Sequence, residues 1–323
     1  MKLASFEVAT RIGPVRRVGV VVVNDSLVDV TAGYTHVLAD QGAPSPQEIA
    51  QTTAPPDMIE FLRRGDQAMT AAREVRATMS NADMVTGESG TQLLYDVDDI
   101  RLLSPLPRPN SIRDFMVFED HVTNSLDQKI PDVWYELPIY YKGNPDSVVA
   151  PDEDVEWPSY TDKLDYELEL AAIIGKQGRD ITAEEADDYI AGYTIFNGFS
   201  ARDIQVREME AMLGPAKGKD FANGFGPYLA TPEDINIAEA GLTARVNDEV
   251  WSEGNIGEMY HSFGDIIEHV SQDETLYPGD ILGSGTVGKG CGLELDRWIQ
   301  PGDSIELEVE GIGTLRHRVI KTD

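Results

Sequence analysis

The apolar residues in the last two thirds of the chain occur in short runs, and this pattern limits the fold more than any other feature. The runs are bounded by Gly, Pro and Asp residues and cover 168–174, 189–196, 244–250, 304–309 and 313–320. Runs this short are typical of strands. Thr182 and Glu185 have the spacing of a capping box, which predicts the start of an inserted helix. The pattern therefore predicts an α+β fold that is mostly β.

The first hundred residues differ from the rest. Residues 2–8 and 15–30 show strand-like alternation and apolar runs, a helix start is expected at 45–48, and residues 56–79 have helical spacing. The segment 103–110 then contains three prolines, which neither a helix nor a central strand would accept. We predict a small N-terminal β-rich module with a helical appendix at 1–104 and a catalytic domain at 105–323.

The charge of the chain excludes several kinds of partner. Asp and Glu outnumber Lys and Arg by 57 to 26, so the net charge is −31. Such a surface repels nucleic acid and anionic lipid, and concentrated salt would screen its self-repulsion, so we expect a halophilic source. The single cysteine, Cys291, excludes an intrachain disulfide and a multi-cysteine zinc site. No apolar run approaches the length of a membrane span, and we predict a cytoplasmic protein.

Two glutamates lie at the start of the most apolar of the short runs, one just before it and one within it. Glu167 and Glu169 are two residues apart, so a strand would direct both side chains to one face. Like charges in that arrangement need a partner, and a hard divalent cation with oxygen ligands is the simplest one. The alternative is a solvated strand face in a very acidic protein.

Histidine and lysine are scarce, and two of their positions suggest chemistry. His121 follows Glu119 and Asp120; a neutral imidazole is the usual general base, although a histidine beside acidic residues is also common at surfaces and helix caps. The glycine-containing loop 214–219 presents Lys217 and Lys219, which would suit an anionic substrate. A simple turn is the alternative for this loop.

Taken together, several segments resemble the catalytic domain of the fumarylacetoacetate hydrolase family, from about Ser111 to about Val319. They are Asp114 seven residues before His121, the segment 137–149, Asp165-Tyr-Glu-Leu-Glu169, the segments 196–205 and 213–219, Ser284-Gly-Thr286 and Gly292-Leu-Glu-Leu295. The resemblance implies a mixed β-roll and a homodimer.

The resemblance also implies a metal site. Asp114, Glu167 and Glu169 match three carboxylate ligands for a divalent cation, with Mg²⁺ expected before Mn²⁺ or Ca²⁺. The family's fourth ligand is an aspartate, and this chain has Gly198 in its place. Water or a neighbouring group must fill the position, or metal affinity must fall. Asp203 belongs to the same motif but does not match the family's ligand.

The remaining site residues follow from the same resemblance. They are the catalytic residues His121, Glu294 and Lys219, and the substrate contacts Tyr141, Arg202, Gln205 and Thr286. In this set His121 is the general base, Glu294 orients it, and Lys219 or Arg202 steadies a developing oxyanion.

The resemblance leaves three functions open for a small anionic keto-acid substrate. The first is metal-dependent hydrolysis of a carbon–carbon bond in an acylpyruvate-like or fumarylacetoacetate-like diketo acid, favoured because His121 and Glu294 are both present. The second is a lyase or isomerase reaction, such as dehydration of a 2-keto-3-deoxy sugar acid, decarboxylation or tautomerisation. The third is a non-enzymatic protein whose metal site is impaired at Gly198.

Overall fold

The computed structural model describes residues 1–22, 26–80, 85–87, 90–125 and 129–322. The strands are β1 Lys2–Thr10, β2 Gly13–Val21, β3 Leu27–Asp29, β4 Leu94–Tyr95, β5 Arg101–Leu102, β6 Ser111–Phe115, β7 Tyr140–Gly143, β8 Val148–Val149, β9 Asp154–Glu156, β10 Leu164–Asp165, β11 Leu168–Ile174, β12 Gly178–Arg179, β13 Ile190–Gly198, β14 Ser200–Ala201, β15 Asn223–Ala230, β16 Gly241–Val246, β17 Glu249–Asn255, β18 Thr275–Leu276, β19 Asp280–Gly283, β20 Ser304–Val309 and β21 Gly313–Ile320.

Helices are fewer and mostly short. The α-helices are α1 Val30–Asp40, α2 Pro46–Thr53, α3 Met58–Arg63, α4 Asp66–Met79, α5 Glu119–Ser125, α6 Asp132–Glu136, α7 Arg202–Glu210, α8 Phe263–Ser271 and α9 Gly292–Leu295. Short 3-10 helices cover Val97–Asp99, Ala183–Tyr189, Pro232–Asp234 and Ile256–Glu258. Within the described parts of the chain, no helix has the length and apolar character needed to cross a membrane.

One large sheet organises the molecule. Its order is β4-β3-β2-β1-β15-β13-β11-β19-β6-β7, with β5 on β1 and β8 on β15. Its N-terminal strands continue the sheet directly, because Lys2 pairs with Ala230 and Leu3 with Leu229. The boundary near residue 104 stays a prediction, and the proline-containing segment 103–110 carries neither helix nor strand.

The large sheet is covered on both faces. A second sheet, in the order β17-β16-β20-β21-β9, shares a core with Leu168 and Leu170 of β11. The alternate residues Ala171 and Ile173 belong to the core that contains Phe61 of α3. Since side chains alternate along a strand, β11 is buried on both sides. The prediction of a mostly β α+β fold is confirmed.

Two sequence predictions in the N-terminal part need correction. The helix expected over 56–79 is two helices, because Gly65 adopts a left-handed φ of 56° between α3 and α4. The strand-like stretch 15–30 contains β2 and β3, and α1 begins at its last residue; positions 23–25 lie outside the described residues. The helix start at 45–48 is confirmed, with Pro46 opening α2.

Two further corrections concern local polar chemistry. The apolar run 244–250 is a hairpin between β16 and β17, because Asn247 and Asp248 take φ values of 50° and 66° and turn the chain. The helix expected at Thr182 is a 3-10 helix, and the Thr182 hydroxyl donates to Glu185 Oε2 at 2.9 Å instead of capping an amide. A true capping box opens α8, where serine pairs with aspartate rather than glutamate.

One buried histidine makes the stability of the fold depend on pH. His317 on β21 is fully buried, with its ring edge-on to Phe199 at 5.5 Å between centroids. Burial disfavours the charged imidazolium and lowers the pKa of His317 from 6.5 to about 4. Below pH 6.5 the unfolded chain therefore gains a proton at this residue that the folded chain does not take up, so stability falls as pH falls towards 4.

We expect this histidine to cost the protein about 2 kcal/mol of unfolding free energy between pH 7 and pH 5. Urea unfolding at both pH values, with wild type and His317→Gln compared, isolates the contribution from that of the many carboxylates. The variant should lose less stability than wild type over this interval. An equal loss in both proteins would contradict the assignment.

Candidate metal centre

Three carboxylates converge at one end of the large sheet. Asp114 lies on β6, Glu169 lies on β11, and Glu167 immediately precedes β11. One oxygen from each lies within 4.8 Å of the others, and all three residues are buried. We call these three residues the acidic cluster. The structure thus brings together the residues predicted as metal ligands, while their role as ligands stays a prediction.

Asp114 has room to approach the other carboxylates because the neighbouring residue on the strand between β6 and β11 is a glycine. Strand β19 separates β11 from β6, and its last residue, Gly283, pairs with Asp114. A Cβ on Gly283 would lie 2.6 Å from Asp114 Oδ1 and 3.0 Å from the ring of Phe196. Any side chain at this position would therefore push the carboxylate of Asp114 out of place.

Protein cations neutralise one member of the acidic cluster. Lys219 Nζ donates to Glu167 Oε2 and, at 3.1 Å, to the carbonyl oxygen of Gly198. Arg202 Nη2 lies 2.9 Å from Glu167 Oε1. Burial alone would raise the pKa of Glu167, but these two positive charges outweigh it and hold that pKa well below its usual range.

The other two members lack such compensation. Asp114 Oδ1 and Glu169 Oε2 are buried and have no hydrogen-bond partner among the described residues, and the same holds for the hydroxyl of Tyr141. Burial, together with the nearby Glu167 charge, raises the pKa of Asp114 to about 6. Burial, together with the charges of Asp114 and Glu167, raises the pKa of Glu169 well above its usual value. Unpaired buried carboxylate oxygens that face one another suit a hard divalent cation.

The position of the missing fourth ligand lies against the acidic cluster. Gly198 ends β13, and a Cβ built there would lie 2.9 Å from Glu167 Oε2 and 3.0 Å from Glu169 Oε1. Within the described residues, no further carboxylate fills this place. Asp203 is engaged elsewhere, since it accepts hydrogen bonds from the Thr161 hydroxyl and the amide of residue 162.

A histidine–glutamate dyad forms from two separate helices. His121 on α5 places Nδ1 2.6 Å from Oε1 of Glu294 on α9. The second oxygen, Oε2, accepts from Asn124 Nδ2 at 2.9 Å and from the Lys289 amide at 2.7 Å. Burial would raise the pKa of Glu294, but its hydrogen bonds with His121, Asn124 and the Lys289 amide hold that pKa below its usual value. The carboxylate thereby fixes the ring with a proton on Nδ1 and the other nitrogen free to act as a base.

Sequence reasoning assigned no role to Asp165, yet it joins the parts of the site. Its buried carboxylate accepts from Arg202 Nε at 2.9 Å and from the amides of Gly292 and Leu293 at 2.8 and 3.0 Å. These amides open α9, which carries Glu294. Asp165 therefore fixes the position of Arg202 relative to the helix that carries Glu294. Its place at the start of the Asp-x-Glu-x-Glu motif was the sequence feature that could have indicated this role.

The predicted substrate contacts lie around the acidic cluster. Arg202 Nη1 donates to Gln205 Oε1 at 3.0 Å, and the Thr286 hydroxyl donates to Glu169 Oε1 at 3.4 Å. Tyr141 lies on β7 directly opposite Asp114. The structure therefore brings these side chains to the same place, and their contact with a substrate stays a prediction.

Known proteins resemble this chain over most of its length. The family model for the fumarylacetoacetate hydrolase C-terminal domain matches residues 110–320. The oxaloacetate tautomerase YisK of Bacillus subtilis (strain 168) is 32% identical over 275 residues, which is 83% of this chain and 87% of the relative.

Solved structures agree with this match. A fumarylacetoacetate hydrolase from the psychrophile Exiguobacterium antarcticum covers all of both chains with a TM-score of 0.72 and 27% identity. A 5-carboxymethyl-2-hydroxymuconate delta-isomerase from Mycobacterium smegmatis, at 23% identity and a TM-score of 0.66, shares the fold.

These relatives carry the names of a tautomerase, a hydrolase and an isomerase, so one fold serves several reactions on small organic acids. Enzymes of this kind generally use a divalent metal, and the acidic cluster is a candidate place for one. From the matched residues and the shared architecture, this chain belongs to the fumarylacetoacetate hydrolase family.

Proposed function

We propose that this protein interconverts the keto and enol forms of a small 2-keto acid, with a divalent cation as its cofactor. The observation that carries the proposal is the combination of an oriented base with a buried acidic cluster. His121 is fixed by Glu294 at 2.6 Å, and Asp114 and Glu169, two members of the cluster, each retain a buried oxygen without a hydrogen-bond partner among the described residues. Proton abstraction next to a carbonyl needs a base of this kind and a positive charge to stabilise the enolate.

The acidic cluster supplies the ligands that such a cation requires. Asp114, Glu167 and Glu169 would hold Mg²⁺, or alternatively Mn²⁺ or Ca²⁺, through oxygen atoms alone. When bound, the cation would act as a Lewis acid on the oxygens of the 2-keto acid.

The dyad moves the proton. In the orientation that Glu294 fixes, the free ring nitrogen of His121 accepts the proton from the carbon beside the keto group. The same nitrogen then gives the proton to the enolate oxygen, which completes the enol, and the two steps run backwards when the enol returns to the keto acid. Glu294 stabilises the imidazolium that forms in between, and Asn124 and the Lys289 amide keep its carboxylate in position.

Cationic and polar side chains bind the substrate. Lys219 is buried between Glu167 and the ring of Tyr141, with Nζ 5.7 Å from the ring centroid. In this proposal its ammonium group stabilises negative charge on the reacting oxygen. In this proposal Arg202, Gln205 and Thr286 contact the carboxylate end of the substrate. We also propose that the protein forms a homodimer.

Hydrolysis of a carbon–carbon bond is the second candidate. It uses the same residues, but His121 then takes a proton from a water molecule instead of from carbon. The dyad can serve this reaction equally well, and the likeness to the Exiguobacterium hydrolase supports it. The greater identity to YisK, a tautomerase, supports keto–enol conversion as the first choice.

Product analysis separates the two reactions. Purified protein with Mg²⁺ should accelerate the keto–enol conversion of oxaloacetate, followed by the ultraviolet absorbance of the enol. His121→Gln should lower the rate about 100-fold or more, because general-base catalysis is lost. Glu294→Gln should show a smaller loss, since the base remains but is no longer oriented.

His269→Gln, which changes a partly exposed histidine on α8, is the matched control and should retain the wild-type rate. An acylpyruvate should give no pair of carbon fragments under the same conditions. Fragments without keto–enol conversion would establish hydrolysis instead. No reaction with either substrate at saturating metal would contradict both candidates.

A second prediction concerns Gly283, the glycine of β19 that pairs with Asp114. Gly283→Ala should weaken Mn²⁺ binding about tenfold, because its Cβ would displace the carboxylate of Asp114. Gly241→Ala is the matched control: it also adds a methyl group to a strand beside a carboxylate, but at an ordinary contact distance of 3.4 Å from Glu310. Calorimetric titration of both folded variants measures the effect. Wild-type affinity in Gly283→Ala would contradict the proposed ligand set.

A third prediction concerns the missing carboxylate. Gly198→Asp should bind a divalent cation about tenfold more tightly than Gly198→Asn, since both variants add a Cβ 2.9 Å from Glu167 Oε2 and 3.0 Å from Glu169 Oε1, and only aspartate adds an anionic oxygen. Gly198→Asn has nearly the same shape without the charge. If both variants bind the cation equally well, the cluster does not hold the ion as proposed.

A further inference from the structure

A second group of metal-binding side chains lies at the dyad. His121, Cys291 and Glu294 each place one ligand atom within 4.8 Å of the others. This His–Cys–Glu cluster differs in chemistry from the acidic cluster, because it combines a nitrogen, a sulfur and an oxygen instead of three oxygens. Hard cations such as Mg²⁺ avoid sulfur, whereas Zn²⁺ commonly takes this mixture of ligands.

The geometry of the His–Cys–Glu cluster is centred on one carboxylate oxygen. Glu294 Oε1 lies 2.6 Å from His121 Nδ1 and 3.4 Å from Cys291 Sγ. The other oxygen, Oε2, is held by Asn124 and the Lys289 amide at 2.9 and 2.7 Å. The carboxylate is therefore fixed by Oε2, and two potential ligands, His121 Nδ1 and Cys291 Sγ, lie against Oε1.

We propose that the His–Cys–Glu cluster is an inhibitory site for a thiophilic divalent cation such as Zn²⁺. The ion would bind His121 Nδ1, Cys291 Sγ and Glu294 Oε1, with a water molecule as fourth ligand. A modest separation of Nδ1 from Oε1 would admit it, since Zn–N and Zn–O bonds are about 2.0 Å and Zn–S bonds about 2.3 Å.

Protons account for the inhibition. The Cys291 thiol donates a hydrogen bond to Glu294 Oε1 at 3.4 Å, so a metal–sulfur bond forms only when it replaces the S–H bond and that proton leaves to solvent. The ion also takes the place of the proton on His121 Nδ1. The ring keeps one proton, which it then carries on Nε2. With Nε2 protonated and Nδ1 bound to metal, the ring has no free nitrogen to act as a base. One proton is released for each ion bound.

This site and the acidic cluster would have opposite effects on activity. A hard cation at Asp114, Glu167 and Glu169 supports the proposed reaction, and a soft cation at the His–Cys–Glu cluster stops it. The two places are neighbours, because Glu167 forms a β-bridge with Cys291. Metal binding at the His–Cys–Glu cluster does not depend on the proposed function, but the inhibition rests on it.

Co²⁺ is a suitable probe for binding, since a thiolate bound to Co²⁺ has a charge-transfer band in the near ultraviolet. Titration of the full chain with Co²⁺, in excess Mg²⁺ to occupy the acidic cluster, should produce this band and release one proton per ion. Cys291→Ser, which keeps a hydroxyl donor for Glu294, should lack the band. His269→Gln should show it unchanged. Absence of the band in wild type would overturn the proposal.

Inhibition is measured with Zn²⁺, each protein being compared with its own uninhibited rate. Cys291→Ser should need at least about tenfold more Zn²⁺ for half-inhibition, because even outer partners of a metal site contribute roughly 10- to 100-fold to affinity. Equal sensitivity in wild type and variant would overturn the inhibitory role. A cobalt–thiolate band in a protein that converts no keto acid would leave the site standing and refute the proposed function.

Discussion

The site depends on the electrostatic cost of burying three carboxylates side by side. Two unit charges 4.8 Å apart repel by about 3 kcal/mol at an effective dielectric constant of about 20. Lys219 and Arg202 offset this cost at Glu167, although Arg202 also forms an ion pair with Asp165. Asp114 and Glu169 each retain an oxygen without a hydrogen-bond partner among the described residues. The raised pKa values of those two residues express the same imbalance. A divalent cation bound by the three carboxylates would remove this imbalance.

The fold creates this cost by backbone pairing. Strand β19 lies between β6, which carries Asp114, and β11, which carries Glu169, and the absence of a side chain at Gly283 leaves room for the carboxylate of Asp114. On the opposite side, Asp165 connects Arg202 to the amides that open α9, and α9 carries the glutamate of the dyad. Charge neutralisation and orientation of the base therefore depend on the same short stretch of chain, from 165 to 169.

Local features of this site could be predicted from the sequence, and distant contacts could be reached only by resemblance. Strand periodicity places Glu167 and Glu169 on one face, but nothing local shows that Asp114 meets them across β19. Asp165 and Cys291 escaped assignment because their partners are amides and a carboxylate brought together by the fold. The pairing of β1 with β15 joins opposite parts of the chain, so the apparent N-terminal module gave no sign that it extends the large sheet. The hydrolase reaction, the homodimer, the cytoplasmic location and the halophilic source stay predictions, since composition and fold do not determine them.

Anomalous diffraction from crystals soaked in Mn²⁺ tests the central claim most directly, because it locates the ion without reference to any substrate. We expect one strong peak at bonding distance from oxygens of Asp114, Glu167 and Glu169, beside Gly198. A peak at another place, or none at a Mn²⁺ concentration that supports activity, would show that these buried carboxylates do not hold the cation.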